Sequence, residues 1–286
     1  MTKKNGGDKL TIARFFMDLQ KICEEIRVDI LKCIGSIGVG HIGGCLSIVE
    51  ILTELYFKHM NIDPKNPKME GRDRLVCSKG HAGPAIYAAL ANRGYFSKDI
   101  LLTLNQSGTS LPSHCDMNKT VGVDMTAGSL GQGFSCAIGM AIGSRLKKDN
   151  AYIYAIIGDG ESQEGQIWEG AMYAAQKKLS NLIAFCDYNK MQIDGNIEDI
   201  NSLDPLDKKW ESFGWNVIVI DGHDLGQIDN AILKAKSQTE KPTMIIANTI
   251  KGKGVKFIEN AGYGNHSMSL SKEQVEEAIA EIRRNA

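Results

Sequence analysis

Asp159 and Asn189 stand thirty positions apart in the 286-residue chain, each just beyond an apolar run. A carboxylate and an amide oxygen are hard donors suited to magnesium or calcium. Magnesium takes few protein ligands and fills its octahedron with phosphate oxygens and water. Thirty residues accommodate a strand, a helix and a second strand, and such a βαβ unit lays its two strands parallel with their carboxyl ends side by side. The runs 152–157 and 182–186 are the strands on this reading. Asp159 and Asn189 then meet in the crevice where α/β folds take ligands. Gly158 and Gly160 flank the carboxylate without a Cβ, so backbone N–H groups and the following helix N-terminus can approach an anion. Gly-Asp-Gly after a strand is also an ordinary turn sequence. The second half of the pattern, Asn189 to Gly195, an extended segment ending in its own turn, is what favours a metal and a diphosphate.

The elements that must hold these residues alternate along the chain. Helical spacing over 11–34 leads into a Gly-rich loop around His41 and resumes over 48–60. A short strand at 73–77 ends just before Lys79-Gly80-His81, and helices follow over 82–93 and 98–104. Apolar runs at 215–220 and 243–247, with a helical stretch over 227–236 between them, continue the alternation. The expectation is one α/β domain over residues 1–286, a parallel sheet with helices on both faces, since no linker, repeat or low-complexity tract interrupts it. The helix over 131–145 is unusual in its small residues. Interior glycines cost about 1 kcal/mol each against alanine, so another backbone should pack closely against it.

Four of the six histidines, His41, His81, His114 and His266, stand beside Gly, Ser or Pro. In such loops a neutral imidazole can reach a ligand and exchange protons near neutral pH, although a lone loop histidine is more often a surface or capping residue. His59, at a helix end, and His223, in an Asp-Gly-His-Asp turn, receive no chemical role.

These residues carry a family resemblance. Gly158-Asp159-Gly160 with Asn189 resembles the thiamine diphosphate signature, and Gly160-Glu161-Ser162-Gln163-Glu164-Gly165 with Asn189-Lys190-Met191-Gln192-Ile193-Asp194-Gly195 is similar to transketolase. Gly40-His41-Ile42-Gly43-Gly44, Ser78-Lys79-Gly80-His81-Ala82 and Ala127-Gly128-Ser129-Leu130-Gly131-Gln132-Gly133 resemble three further transketolase motifs in family order, so the likeness spans nearly the whole chain. It implies a thiamine diphosphate-binding fold holding the cofactor with Mg2+, or Ca2+ or Mn2+ in its place. It also implies transfer of a two-carbon glycolaldehyde unit from a ketose phosphate to an aldose phosphate, chemistry of the pentose phosphate type.

Carried across residue by residue, the resemblance gives the metal Asp159, Asn189 and the Met191 carbonyl. Gly160 and His81 would contact the diphosphate. Gly128, Ser129 and Leu130 would shape the cofactor cleft, and Ile193 would give the thiazolium a buried apolar wall. Glu164 and Glu169 would be carboxylates running between two cofactor sites through an interface, with solvated helix glutamates as the alternative. His41, His114 and His266 would bond the sugar hydroxyls and oxyanion and move protons, with His81 at the same centre and His266 also near the cofactor. At the last position the family pattern is His-Gly, where this chain has Asn265-His266-Ser267. In the family the small-residue helix lies near the subunit interface.

Transketolases are usually much longer, with a second domain that binds the aminopyrimidine and supplies a glutamate to it. No segment here resembles that domain. The expectation is therefore the diphosphate-binding half of a split transketolase, inactive alone and working as an α2β2 assembly with a separate pyrimidine-binding chain. The alternatives are half of a 1-deoxyxylulose 5-phosphate synthase-like enzyme, the α chain of a 2-oxoacid dehydrogenase, and a non-catalytic cofactor-binding subunit. The Gly-His-Ile-Gly-Gly and Ser-Lys-Gly-His-Ala motifs favour transketolase over the first two.

Composition sets outer bounds. With 43% hydrophobic and 23% charged residues the chain can bury a large core. A net charge of -1 and scattered Lys and Arg leave no footprint for nucleic acid. Residues 1–8 are polar, with no apolar leader, and no run of eighteen apolar residues occurs, so the expected location is cytoplasmic and away from membranes. Seven cysteines without a C-x-x-C pair, mostly in apolar segments, argue for reduced thiols and against zinc or disulfides. Neither G-x-G-x-x-G after a strand nor a P-loop is present, which disfavours nicotinamide and ATP enzymes.

Overall fold

The protein is described by a computed structural model over residues 6–284. The expectation for residues 1–8 thus falls partly outside the described residues. Five strands form one parallel sheet: β1 (Arg74–Cys77), β2 (Ile153–Gly158), β3 (Leu182–Tyr188), β4 (Asn216–Asp221) and β5 (Thr243–Asn248), in the order β1-β2-β3-β5-β4. All seven residues of β3 are buried, as an apolar run covered on both faces requires. The register sets Gly158 opposite Asp187 and Tyr188 opposite Asn248, so the three central strands end together.

Strand side chains alternate between two cores, one on each face of the sheet. Tyr154, Ile156, Ile183 and Phe185 join the cluster under α1 (Gly6–Gly35), α2 (Gly83–Arg93), α5 (Leu225–Ser237) and α6 (Lys272–Arg284). Ile153, Ala155, Ile157, Ala184 and Cys186 join the cluster under α3 (Gln132–Lys147), α4 (Gly165–Gln176) and the helix Leu206–Ser212. Helices on both faces are what the alternating sequence pattern predicts. The strand bounds differ from that pattern by a residue or two at their ends, where hydrogen bonding rather than apolarity decides.

Local signals explain the helix ends near the cavity. Pro84 opens α2 and Gly94, at φ 94°, closes it, the conformation that glycine tolerates best. Asp224 caps α5 by accepting from the Gln227 N–H at 3.0 Å. The helical stretch expected over 48–60 is not uniform: Val49–Glu54 is α-helical, and Leu55–His59 is a π turn closed by the Met60 N–H on the Leu55 carbonyl at 2.9 Å. The small-residue helix α3 meets backbone at Gly133, where a Cβ would lie 2.7 Å from Ser78 Cα, whereas Gly139 and Gly143 face open space. Close packing therefore accounts for one end of α3 and not for its middle.

Candidate active site

At the carboxyl ends of β1, β2 and β3 the chain encloses a cavity of about 420 Å³. Its floor is a buried charge network. Lys79, just past β1, donates to Asp187 Oδ2 at 2.5 Å and to the Gly44 carbonyl at 2.8 Å, and Asp187 also accepts from Ser47, Thr249 and Asn189. Burial opposes both charges, but their mutual attraction prevails, lowering the Asp187 pKa and raising that of Lys79. The pair orients Asn189: its amide NH2 donates to Asp187 Oδ2 at 3.1 Å, and its Oδ1 accepts from the Met191 N–H at 3.2 Å.

Asp159 caps the turn Gly160–Gln163 by accepting from the Gly160 N–H at 2.8 Å, and its other oxygen accepts from the Lys190 N–H at 2.5 Å. The carboxylate is 2% exposed. Burial, reinforced by the nearby Asp187 charge, pushes its pKa up to about 7 against the pull of those two N–H groups. A buried carboxylate beside a second carboxylate calls for a cation. With an amide oxygen next to it, the donor set fits a hard divalent ion. The third expected donor, the Met191 carbonyl, here accepts from Lys251 Nζ at 3.4 Å.

Four loops bring the histidines together. His81 lies in the turn Gly80–Ala82, and the rings of His41 and His266 stand 5.2 Å from it and 5.3 Å from each other, with His114 5.8 Å from His41. Remote parts of the chain make this meeting possible. Val39–Gly40 pairs antiparallel with Met268–Ser269, setting the His41 and His266 loops side by side. Asn265, fully buried, occupies the space where a Cβ on Gly43 would sit, 2.1 Å away, which explains a glycine there. A Cβ on Gly80 would lie 2.0 Å from the Ala127 carbonyl, so that glycine seats the loop bearing Gly128 and Leu130. Glu161 joins three loops, accepting from Ser78 Oγ, the Gly131 N–H and the Gly158 N–H at 2.5, 2.8 and 3.0 Å.

Burial keeps His41, His81 and His266 uncharged, with pKa lowered for His41, to about 2 for His81 and to about 4 for His266; Lys79 and Lys251 respectively reinforce the last two shifts. Lys251 Nζ lies 3.1 Å from His266 Nδ1, and burial lowers its own pKa to about 8.

Of the residues singled out in the sequence, His41, His81, His114, Gly128, Leu130, Asp159, Gly160, Glu164, Asn189, Met191, Ile193 and His266 all line this cavity. Ser129 is exposed and not among its walls. Ile193 stands at the rim, 65% exposed, so the buried wall expected of it is not formed within this chain. Its place on the 191–196 hairpin leaves it without cover. Glu164 and Glu169 are exposed. Lys251, Lys79, Asp187 and Glu161 were missed. Lys79 and Glu161 stand inside recognisable motifs, but only their burial marks them as part of the site.

Comparison with known proteins agrees with this geometry. Residues 19–284 match the family model described as transketolase, thiamine diphosphate binding domain. The chain is 56% identical over 268 residues to the 6-deoxy-6-sulfo-D-fructose transketolase subunit SqwG of Clostridium sp. (strain MSTE9), a match covering 94% of this chain and 97% of that protein. It is 41% identical over 268 residues to an apulose-4-phosphate transketolase subunit of Actinobacillus succinogenes, covering 93% and 96% respectively. The crystal structure of transketolase from Campylobacter jejuni superposes with a TM-score of 0.86 at 31% identity, over 93% of this chain and 42% of that one.

Proposed function

The chain belongs to the transketolase family, within its thiamine diphosphate-binding domain, and on that premise we propose that it is one subunit of a two-chain transketolase moving a two-carbon ketol unit from a ketose to an aldose. The observation that carries this reading is the single cavity in which Asp159 and Asn189 face four loop histidines. Two relatives matched over nearly their full lengths are named as transketolase subunits, which supports a separate chain supplying the pyrimidine-side glutamate in an α2β2 assembly. Seven free cysteines suit a reducing, cytoplasmic setting, and no helix among the described residues is long and apolar enough to cross a membrane.

Thiamine diphosphate, when bound, would supply the carbanion chemistry of carbon–carbon cleavage. Asp159, Asn189 and the Met191 carbonyl would hold its magnesium, or calcium or manganese, with Lys251 releasing the carbonyl it now engages. His81, Lys251 and Gly160 would contact the diphosphate, Gly128 and Leu130 would wall the cleft, and Ile193 would be covered by the partner chain. His41, His114 and His266 would bond the sugar hydroxyls and carry protons at the oxygens whose charge changes as the C2–C3 bond breaks. An uncharged imidazole can both accept and donate there, which fits the lowered pKa of His41 and His266.

The donor is open to a sharper reading. The 56% identical relative is named for a sulfonated ketose, so 6-deoxy-6-sulfo-D-fructose stands beside sugar phosphates such as xylulose 5-phosphate as a donor. The test is to co-purify this chain with its partner chain and follow glycolaldehyde transfer from each donor with thiamine diphosphate and Mg2+. Transfer by the pair and not by this chain alone is the expected result. Turnover by the isolated chain, or none by the pair from any ketose, would overturn the proposal.

A further inference from the structure

Between the helical segment 49–59 and α5 lies a second group of donors that the ketol transfer does not use. The π turn Leu55–His59 adds a residue to its helix, so Glu54 and His59, five positions apart, come to one side. His59 Nε2 stands 3.5 Å from Glu54 Oε2 and 2.9 Å from Asp229 Oδ1 on α5. One donor atom from each of the three residues falls within 4.8 Å of the others. The turn is pinned from outside by Lys236, which donates to the His59 carbonyl at 2.8 Å and lies over the ring of Tyr152, beside the first residue of β2. The cluster lies between the Glu54 helix and α5, and none of its three residues lines the cavity.

Glu54 is 0% exposed, and neither of its carboxylate oxygens takes part in a hydrogen bond. His59 Nε2 lies 3.5 Å from its Oε2 and Lys58 Nζ 3.7 Å from the same atom. A fully buried carboxylate without a hydrogen bond is costly unless something neutralises it. We propose that Glu54, His59 and Asp229 form a second divalent-cation site, of a class that takes zinc. Imidazole nitrogen and carboxylate oxygen are both zinc donors, three protein donors with water in the fourth position is a zinc arrangement, and donors about 2.0 to 2.2 Å from a tetrahedral ion lie roughly 3.3 to 3.6 Å from one another, near the 3.5 and 2.9 Å found here. The open side is at Asp229, where water completes the shell. Lys58 Nζ, 2.9 Å from Asp229 Oδ1, holds the cation position in competition with the metal, and its partly exposed side chain can move aside toward solvent. This departs from the expectation against zinc, which rested on the cysteine pattern, whereas the donors here are imidazole and carboxylate.

The test uses the full chain with saturating Mg2+ and thiamine diphosphate, so that the cavity is filled, titrated with Zn2+ and separately with Co2+. One zinc per chain beyond the magnesium is expected, with the visible absorption of a tetrahedral cobalt site. His59→Gln and Asp229→Asn should each weaken zinc at least about 100-fold, because even outer-sphere partners are worth 10–100-fold. Asp159→Asn should leave the second site unchanged, and Lys58→Gln should tighten it. Zinc should raise the thermal midpoint of the natural chain but not of His59→Gln. No zinc retained by the natural chain, or equal retention by His59→Gln, would overturn the proposal and leave the cluster as an ion-pair network.

Discussion

The Asp159 carboxylate accepts a hydrogen bond from the Lys190 backbone N–H at 2.5 Å, tying the end of one strand to the residue after Asn189. This contact brings the two oxygen donors together across thirty residues of chain. Asp159→Ala removes both the tie and the ionisable donor. Magnesium-dependent affinity of the assembled enzyme for thiamine diphosphate should fall at least about 100-fold, with the circular dichroism unchanged. Undiminished affinity would show that the ion is held elsewhere.

His81 packs against the rings of His41 and His266 in the histidine group. Replacing it with alanine should remove a hydrogen bond to a charged diphosphate, worth about 1.5 to 3 kcal/mol, or roughly 10- to 150-fold in cofactor affinity. Calorimetric titration of the assembled enzyme measures it, and a change below about threefold would contradict the role.

Lys79 and Asp187 form a buried pair beneath the cavity. Asp187→Ala strands the ammonium and should cost about 3 to 5 kcal/mol in urea unfolding, while the double replacement Lys79→Met with Asp187→Leu should recover much of that loss. A double variant as unstable as the single one would place the cost in packing instead of charge.

Gly80 and Gly128 offer a matched contrast. A Cβ on Gly80 would meet the Ala127 carbonyl at 2.0 Å, whereas one on Gly128 would meet nothing within 4 Å. Gly80→Ala should lose about 1 to 3 kcal/mol through overpacking. Gly128→Ala should stay within about 0.5 kcal/mol of the natural chain. Equal thermal midpoints for the two variants would refute the close approach.

Burial holds His81 uncharged, its pKa lowered from 6.5 to about 2. Below about pH 6.5 the unfolded chain takes up this proton and the folded chain does not, so the histidine makes stability fall as pH drops. Asp159, raised to about 7, acts in the opposite sense, because it is protonated in the folded state while still ionised in the unfolded chain. The comparison that isolates the histidine is the metal-free natural chain against His81→Asn between pH 6 and 4. The natural chain should lose up to about 1.4 kcal/mol more per pH unit than the variant. Parallel slopes would show that the imidazole is not kept neutral by the fold.

Much of the arrangement was legible in the residues themselves. Strand apolarity, the spacing from Asp159 to Asn189 and the glycines beside the loop histidines led to the parallel sheet and to most of the cavity wall. What escaped depends on contacts between distant segments. Lys79 and Lys251 look like surface lysines until Asp187 and His266 are seen beside them. His266 lacks the expected following glycine, yet the pairing of Gly40 with Met268 delivers it to the group. A π turn differs from an α turn by one backbone hydrogen bond, and no pattern of side chains announced it. Ile193 was read as buried because sequence shows that a residue is apolar, not whether its own chain covers it.

The pairing of Val39–Gly40 with Met268–Ser269 has a consequence for biosynthesis. A ribosome releases the first histidine loop long before the last, and the group of imidazoles cannot close until residues 266–269 have emerged and docked against residues 39–41. A half-made chain ending before His266 would carry Asp159 and Asn189 yet have no complete pocket. Closure of the pocket thus waits on a late segment, and loss of the Met268–Ser269 strand would open it without touching the five-stranded sheet.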